Sequence, residues 1–270
     1  MDLPGLTAVR VARSRGDLTL SDTVAPLGGG TWLYSEPQPG LTGLVDLTGL
    51  GWTPWEARPD GGLSVAATCT ITAATRIERR PGWDALPLFA QCAGSLLASF
   101  KVQAIATVGG NIATALAAGA MIALATALDA ELVIWTPDGG DRRQPVESFV
   151  LGQRRTMLSP GEVIRSIEFP PHAMAARTAS RRVALSPLGR AGTVVAGRLD
   201  VDGACVLSVT GGTDRPEVLR FAALPSAEAL GEAVGGIRSW FTDPHGAADW
   251  RRAMTLLLAE QVVAELGSAP

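Results

Sequence analysis

Lysine, cysteine and histidine are all scarce in this chain, and each shortage narrows what it can do. Lys101 is the single lysine among 23 basic residues, a bias of composition to which no chemistry attaches. The arginines stand singly or in short pairs, such as Arg79-Arg80, Arg142-Arg143, Arg154-Arg155 and Arg181-Arg182, and the formal net charge is -3. Neither balance nor pattern makes the basic stripe that a nucleic-acid backbone requires. Cys69, Cys92 and Cys205 lie far apart, form no C-x-x-C pair, and have His172 and His245 alone to complete a metal set. That spacing argues against a zinc or iron–sulfur centre on this chain. The odd count fits reduced, buried thiols in a cytosolic protein. If such a chain handles electrons, an organic cofactor must carry them.

Long apolar runs are missing too, so no membrane span is expected. The N-terminal MDLPGLTAVRVARSRG lacks the charged start, apolar stretch and small-residue cleavage site of a secretory signal, so a cytoplasmic location is expected. What the chain does have is apolar residues along its whole length, 47% hydrophobic against 18% charged over 270 residues. That is enough for one large or two modest folded units.

Short extended runs alternate with turns at the N-terminal end: Thr23–Leu27, Leu44–Leu47 and Leu63–Thr70. Apolar residues at Leu88, Cys92, Leu96 and Phe100 predict a helix over Pro87–Phe100. Met121, Leu124, Ala125 and Leu128 predict another over Gly119–Leu128. Strands are expected at Glu131–Thr136 and Glu162–Phe169. The Val163-Ile164 pair interrupts the alternation of the second, and Glu162 and Glu168 at its ends are expected to face solvent. The Pro170-Pro171 step should halt regular structure, with a domain boundary near 171–177. Strands Arg181–Leu185, Thr193–Leu199 and Cys205–Thr210 follow, then a helix from the capping Ser226 to Trp240 and a last helix over Ala247–Leu266. Trp250, Met254, Leu257, Leu258 and Val262 should form the core stripe of that last helix, leaving Arg251 and Arg252 to reach outward. His172 and His245 sit beside prolines and read as exposed loop residues.

Two glycine turns carry the chemistry. In LGGGTWL, residues 27–33, three consecutive glycines either form a tight loop in which they relieve crowding or expose amides to one concave point, a nest for a phosphate oxygen. Thr31 adds a hydroxyl, and Trp32 and Leu33 can wall a flat ligand. In ATVGGN, residues 106–111, Gly109 and Gly110 permit close approach, Thr107 and Asn111 offer hydrogen bonds, and the following helix could add its dipole. Packing of a strand on a helix would explain Gly109 and Gly110 equally well. Neither turn is a dinucleotide G-x-G-x-x-G or a P-loop.

Taken in order, LGGGTWL with LVDLTGL, ATVGGN with ATALDA, FVLGQRRTMLSPGEVIRSIEFP, and GAADWRRAMTLLLAEQVV resemble the flavoprotein subunits of molybdenum hydroxylases, across nearly the whole chain. The family includes the medium subunit of carbon monoxide dehydrogenase and the FAD domain of xanthine dehydrogenase. The resemblance implies an α+β fold. A PCMH-type FAD-binding domain of two subdomains would span 1–172, and a small carbon-monoxide-dehydrogenase-flavoprotein-like domain, a three-stranded sheet with helices, would span 177–270. It implies FAD as cofactor, held by Leu27, Gly28, Gly29, Gly30, Thr31, Trp32, Leu33, Thr107, Gly109, Gly110, Asn111 and Thr114, with Ile164 near the flavin or adenine. It assigns no acid or base residue to catalysis. The implied partners are a 2Fe-2S small subunit and a molybdopterin-binding large subunit, with NAD or another final acceptor. Two departures stand out. Family members commonly carry Ser-Pro and then Asp where this chain has Leu116-Ala117 and Ala120, and Arg-Asn where it has Gln103-Ala104. A flavin-free scaffold and a stand-alone FAD oxidase are the competing readings.

Overall fold

The computed structural model describes Leu3 and residues 5–268, so Met1, Asp2, Pro4, Ala269 and Pro270 of the expected spans lie outside the described residues. Strands β1 (Ala8–Val11), β2 (Val24–Leu27) and β3 (Gly43–Asp46) form a small parallel sheet with β3 in the middle. β1 is exposed at every position, so it leaves no hydrophobic rhythm to read. β2 ends where Gly28 begins, which delivers the glycine turn off the end of the strand.

A second, antiparallel sheet runs in the order β4 (Trp55–Ala57), β5 (Leu63–Ala66), β10 (Val163–Phe169), β6 (Glu131–Trp135), β7 (Asp141–Pro145). The register of β10 against β6 shifts between Ile164 and Ser166, a bulge at Arg165 that puts Ile164 and Ile167 on the same core face, while Val163 is buried outside that cluster. Glu162 and Glu168 do not face solvent. Both are buried, because partners await them. Arg142 of β7 holds Glu162 through two bonds of 2.6 and 2.7 Å, and the Ser64 hydroxyl donates to Glu168 at 2.8 Å. Beyond β7, α6 (Val146–Phe149) leads into a two-stranded ribbon, β8 (Val150–Gly152) and β9 (Arg155–Thr156).

The helices between the sheets are α1 (Ile71–Ala74), α2 (Leu86–Ser95), α3 (Phe100–Gln103), α4 (Val108–Thr114) and α5 (Ala120–Ala127). The single helix expected over Pro87–Phe100 divides, since Leu96 turns extended and Ser99 then caps α3 through the Val102 amide. α5 was expected to be amphipathic, yet all eight of its residues are buried. It packs against other helices of this unit and against the C-terminal sheet, and has no solvent side.

Pro170-Pro171 ends β10 as expected, but Pro171 also opens a short helix, α7 (Pro171–Met174), where a missing N–H costs nothing. The C-terminal sheet has four strands where three were expected: β11 (Arg177–Val183), β12 (Thr193–Leu199), β13 (Cys205–Thr210) and β14 (Glu217–Phe221). β14 is an edge strand with no fully buried residue, which is why its sequence reads weakly. Helix α9 (Ala248–Gly267), which α8 (Ala227–Gly236) packs against, covers one face of this sheet, and α5 and α2 pack against the other. β13 is therefore buried throughout, and β12 at every residue but Leu199. α9 is rotated from expectation. Its inward stripe is Arg251, Thr255, Leu258, Val262 and Leu266, while Leu257 faces out. Arg251 does not reach outward: it donates to the carbonyls of Gly211 at 2.7 Å and Gly246 at 3.0 Å. The three cysteines are free and buried, and burial pushes their thiols up, to about 12 for Cys69 and Cys92 and about 11 for Cys205. No helix among the described residues is long and apolar enough to cross a membrane.

Candidate cofactor site

The two glycine turns touch. A β-carbon on Gly29 would sit 2.0 Å from the Ile105 carbonyl oxygen, and one on Gly28 would sit 2.7 Å from the Thr107 hydroxyl. Glycine is what lets the loop after β2 lie against the segment entering α4. Gly30 adopts φ +68°, in the left-handed region. Among the described residues the amides of Gly28 through Leu33 find no acceptor in the protein, whereas those of Tyr34 and Ser35 close onto Gly30 and Trp32. The first turn thus holds a run of free N–H donors, the property a phosphate nest needs.

The second turn works differently. The amides of Val108, Gly109 and Asn111 donate to Cys69, Ala67 and Thr107 carbonyls at 2.8, 3.0 and 2.9 Å, and Gly110 donates to the Thr107 hydroxyl at 3.1 Å. Those donors are spent, and α4 is only seven residues long, so the expected dipole contribution does not arise here. Gly109 serves packing: a β-carbon there would lie 2.4 Å from that of Ala67. Asn111 accepts the Met121 amide at 2.9 Å, which fixes the start of α5 and leaves its amide nitrogen free. Thr114 donates to the Gly110 carbonyl at 2.7 Å, and its oxygen can still accept. This side offers side-chain edges rather than backbone.

Between the turns lies a cavity of about 650 Å³, within the roughly 300–1,000 Å³ of small-molecule sites. Gly28, Gly29, Gly30, Thr31, Trp32, Leu33, Gly110, Asn111 and Thr114 line it. Thr107, Gly109 and Ile164 line a second pocket of about 80 Å³ that shares Gly28 and Gly110 with the first. Leu27 lines neither and backs the turn as a buried residue. Sequence reasoning missed Gln38, Leu97, Ser99, Val102 and Arg154 in the lining. Leu116 also lines the cavity, while Ala120 is buried in the core and lines neither pocket. Gln103 reaches the carbonyls of Ala93 and Ala98 at 3.4 Å, tying α3 to α2.

A family model described as the FAD binding domain in molybdopterin dehydrogenase matches residues 8–172. The chain belongs to that family. As an FAD-binding molybdopterin dehydrogenase chain it shares its fold with solved relatives over almost its whole length. Reconstituted CO dehydrogenase from Oligotropha carboxidovorans superposes with a TM-score of 0.85 at 20% identity, covering 98% of each chain. CO dehydrogenase from Hydrogenophaga pseudoflava gives 0.82 at 22%, and quinoline 2-oxidoreductase from Pseudomonas putida 86 gives 0.81 at 20%, each over 98% of both chains. The search of curated proteins returns no match. The residues present fit FAD: a run of unpaired amides for the diphosphate and a cavity of suitable size walled by Trp32, Leu33, Leu97 and Val102.

Proposed function

We propose that this chain is the FAD-carrying electron-transfer subunit of a molybdenum hydroxylase complex. It takes electrons from a 2Fe-2S partner, itself supplied by a molybdopterin-bearing partner, and passes them to NAD or another acceptor. The observation that carries the reading is the contact of Gly28 and Gly29 with Ile105 and Thr107, which brings both glycine turns to one cavity. When bound, FAD supplies a centre that accepts electrons in pairs and releases them singly, the chemistry needed between an iron–sulfur cluster and a two-electron acceptor.

The chain's own residues bind and orient. The amides of Gly28 to Thr31 face the diphosphate, Thr114 and Asn111 meet it or the ribitol from across the cavity, and Ile164 packs in the adjoining pocket. Residues 1–172 form the cofactor unit and 177–270 the smaller C-terminal unit, which the FAD family match, ending at residue 172, supports. No residue is assigned acid–base work. The test is to purify the full chain from its native host with whatever accompanies it. Visible flavin absorption together with copurifying iron and molybdenum is the expected result. A chain that stays colourless after FAD is added would overturn the reading in favour of a scaffold, and flavin without either metal would favour a stand-alone oxidase.

A further inference from the structure

Among the described residues lining the large cavity, one carries a formal charge: Arg154. Its guanidinium lies over the Trp32 ring, 5.6 Å from the ring centre, at the edge of the glycine turn. Its neighbour Arg155 pairs with Asp214 at 3.4 Å, but Arg154 has no carboxylate partner and makes no side-chain hydrogen bond among the described residues. Its backbone is held in an unfavourable form. Arg154 has φ +59° in the turn between β8 and β9, and its amide donates to the Ala115 carbonyl at 2.7 Å, Ala115 itself standing at φ +49°. On the other side, Asp214 of the C-terminal segment accepts from the Gln153 amide at 3.2 Å as well as from Arg155. A left-handed arginine persists where its surroundings over-determine it, and such strain clusters at ligand clamps.

We infer that Arg154 is the counter-charge of the FAD diphosphate, aimed across the cavity by Asp214. The inference rests on the FAD reading above. The free amides of Gly28 to Leu33 can direct hydrogen bonds at phosphate oxygens, but they bring no net charge, and the remaining lining is neutral. A dianionic ligand entering such a cavity is held more tightly by a cation, and an unpaired guanidinium beside the amide nest supplies a bidentate one.

The test uses the full chain, oxidised FAD, and quenching of tryptophan fluorescence. Arg154→Gln should raise the FAD dissociation constant about tenfold at low salt, the weaker end of a charge-assisted contact because the site is exposed. It should also flatten the salt dependence of binding and leave the flavin midpoint potential where it was. Arg154→Gly relieves the left-handed strain, so its melting temperature should hold or rise while its FAD affinity falls as in Arg154→Gln. Asp214→Ala should weaken FAD binding in the wild-type background and change nothing further in Arg154→Gln. Unchanged affinity in Arg154→Gln overturns the inference, and so does a shifted potential with salt dependence intact, which would place the guanidinium on the flavin ring. Wild-type protein that binds no FAD would instead remove the functional reading on which this one stands.

Discussion

A methyl group at Gly29 has nowhere to go, since the atoms it would meet, the carbonyl oxygen and carbon of Ile105 at 2.0 and 2.7 Å, are backbone. Gly29→Ala must push the two turns apart, so it should cost about 1–3 kcal/mol in chemical denaturation and weaken FAD binding about tenfold or more. Gly94, exposed inside α2 with nothing within 4 Å of its missing β-carbon, is the control. Gly94→Ala should stabilise by about 0.5–1 kcal/mol and leave FAD affinity untouched. That contrast marks what a sequence can show of single residues. Three glycines in a row announce a turn at 28–30, and the structure makes that turn a free amide run. The equally suggestive Gly109-Gly110 is not one, because Ala67 and Cys69, some 40 positions earlier, take up the Gly109 and Val108 amides and Thr107 takes the Gly110 amide. Arg154 escaped notice for the same reason: nothing local says that an exposed arginine has been carried to Trp32.

Secondary-structure elements were legible where one face meets the core and the other meets water. β10 is the instructive case, for a break in alternation was visible at Val163-Ile164 and a bulge lies just beyond it, at Arg165, but the environment of Glu162 was not visible. Its carboxylate is held below the ordinary glutamate value of 4.5 by the Arg142 hydrogen bonds, which outweigh burial, with a further bond from the Ser159 amide at 2.8 Å. A lowered folded value means stabilisation that is complete above the unfolded value and lost as pH falls through the folded one. Glu162→Gln should therefore destabilise by about 2 kcal/mol at neutral pH. Urea titrations should show the gap to wild type closing as pH drops below about 4.5. A gap that stays constant with pH would show that the amide's shape, not the charge, is at fault. α9 misled for a related reason: Arg251 occupies a core position because Gly211 and Gly246 carbonyls and the Asp243 carboxylate receive it, and polarity alone assigned it to the surface.

At the scale of the whole molecule, Arg198 ties the C-terminal sheet to the end of α5. Its side chain is 3% exposed, bonds to Asp200 at 2.8 Å and to the Ala127 carbonyl at 2.7 Å, and pairs with Asp129. Burial opposes ionisation of Asp129, yet Arg198 and Arg220 together hold its carboxyl below the ordinary range. Arg198→Ala strands Asp200 and leaves Asp129 to Arg220, and should cost about 3–5 kcal/mol by denaturation. FAD affinity of the folded fraction should be unchanged, because Arg198 lines neither pocket. An equal loss of cofactor affinity would show that the sheet and the cavity move together. The layering behind this junction was beyond sequence reading: an α5 whose one polar residue is Thr126 is consistent with any buried helix, and only the arrival of β12 and β13 on its far side explains why it needs no polar face.

That sandwiched helix sets an order of events during synthesis. When the first 172 residues have left the ribosome, α5 is present but the strands that will cover it are not. The remaining residues take on the order of ten seconds to appear at about 5–20 residues per second. Through that interval the nascent chain shows a greasy flank to its surroundings, a binding opportunity for holding chaperones. A fragment ending at Ala176 keeps the flank bare, so it should collect in inclusion bodies and bind ANS strongly when solubilised at low concentration. Adding back residues 177–270 in trans should quench that signal, and a fragment that stays monomeric and ANS-silent by itself would show that the flank finds cover without the last four strands.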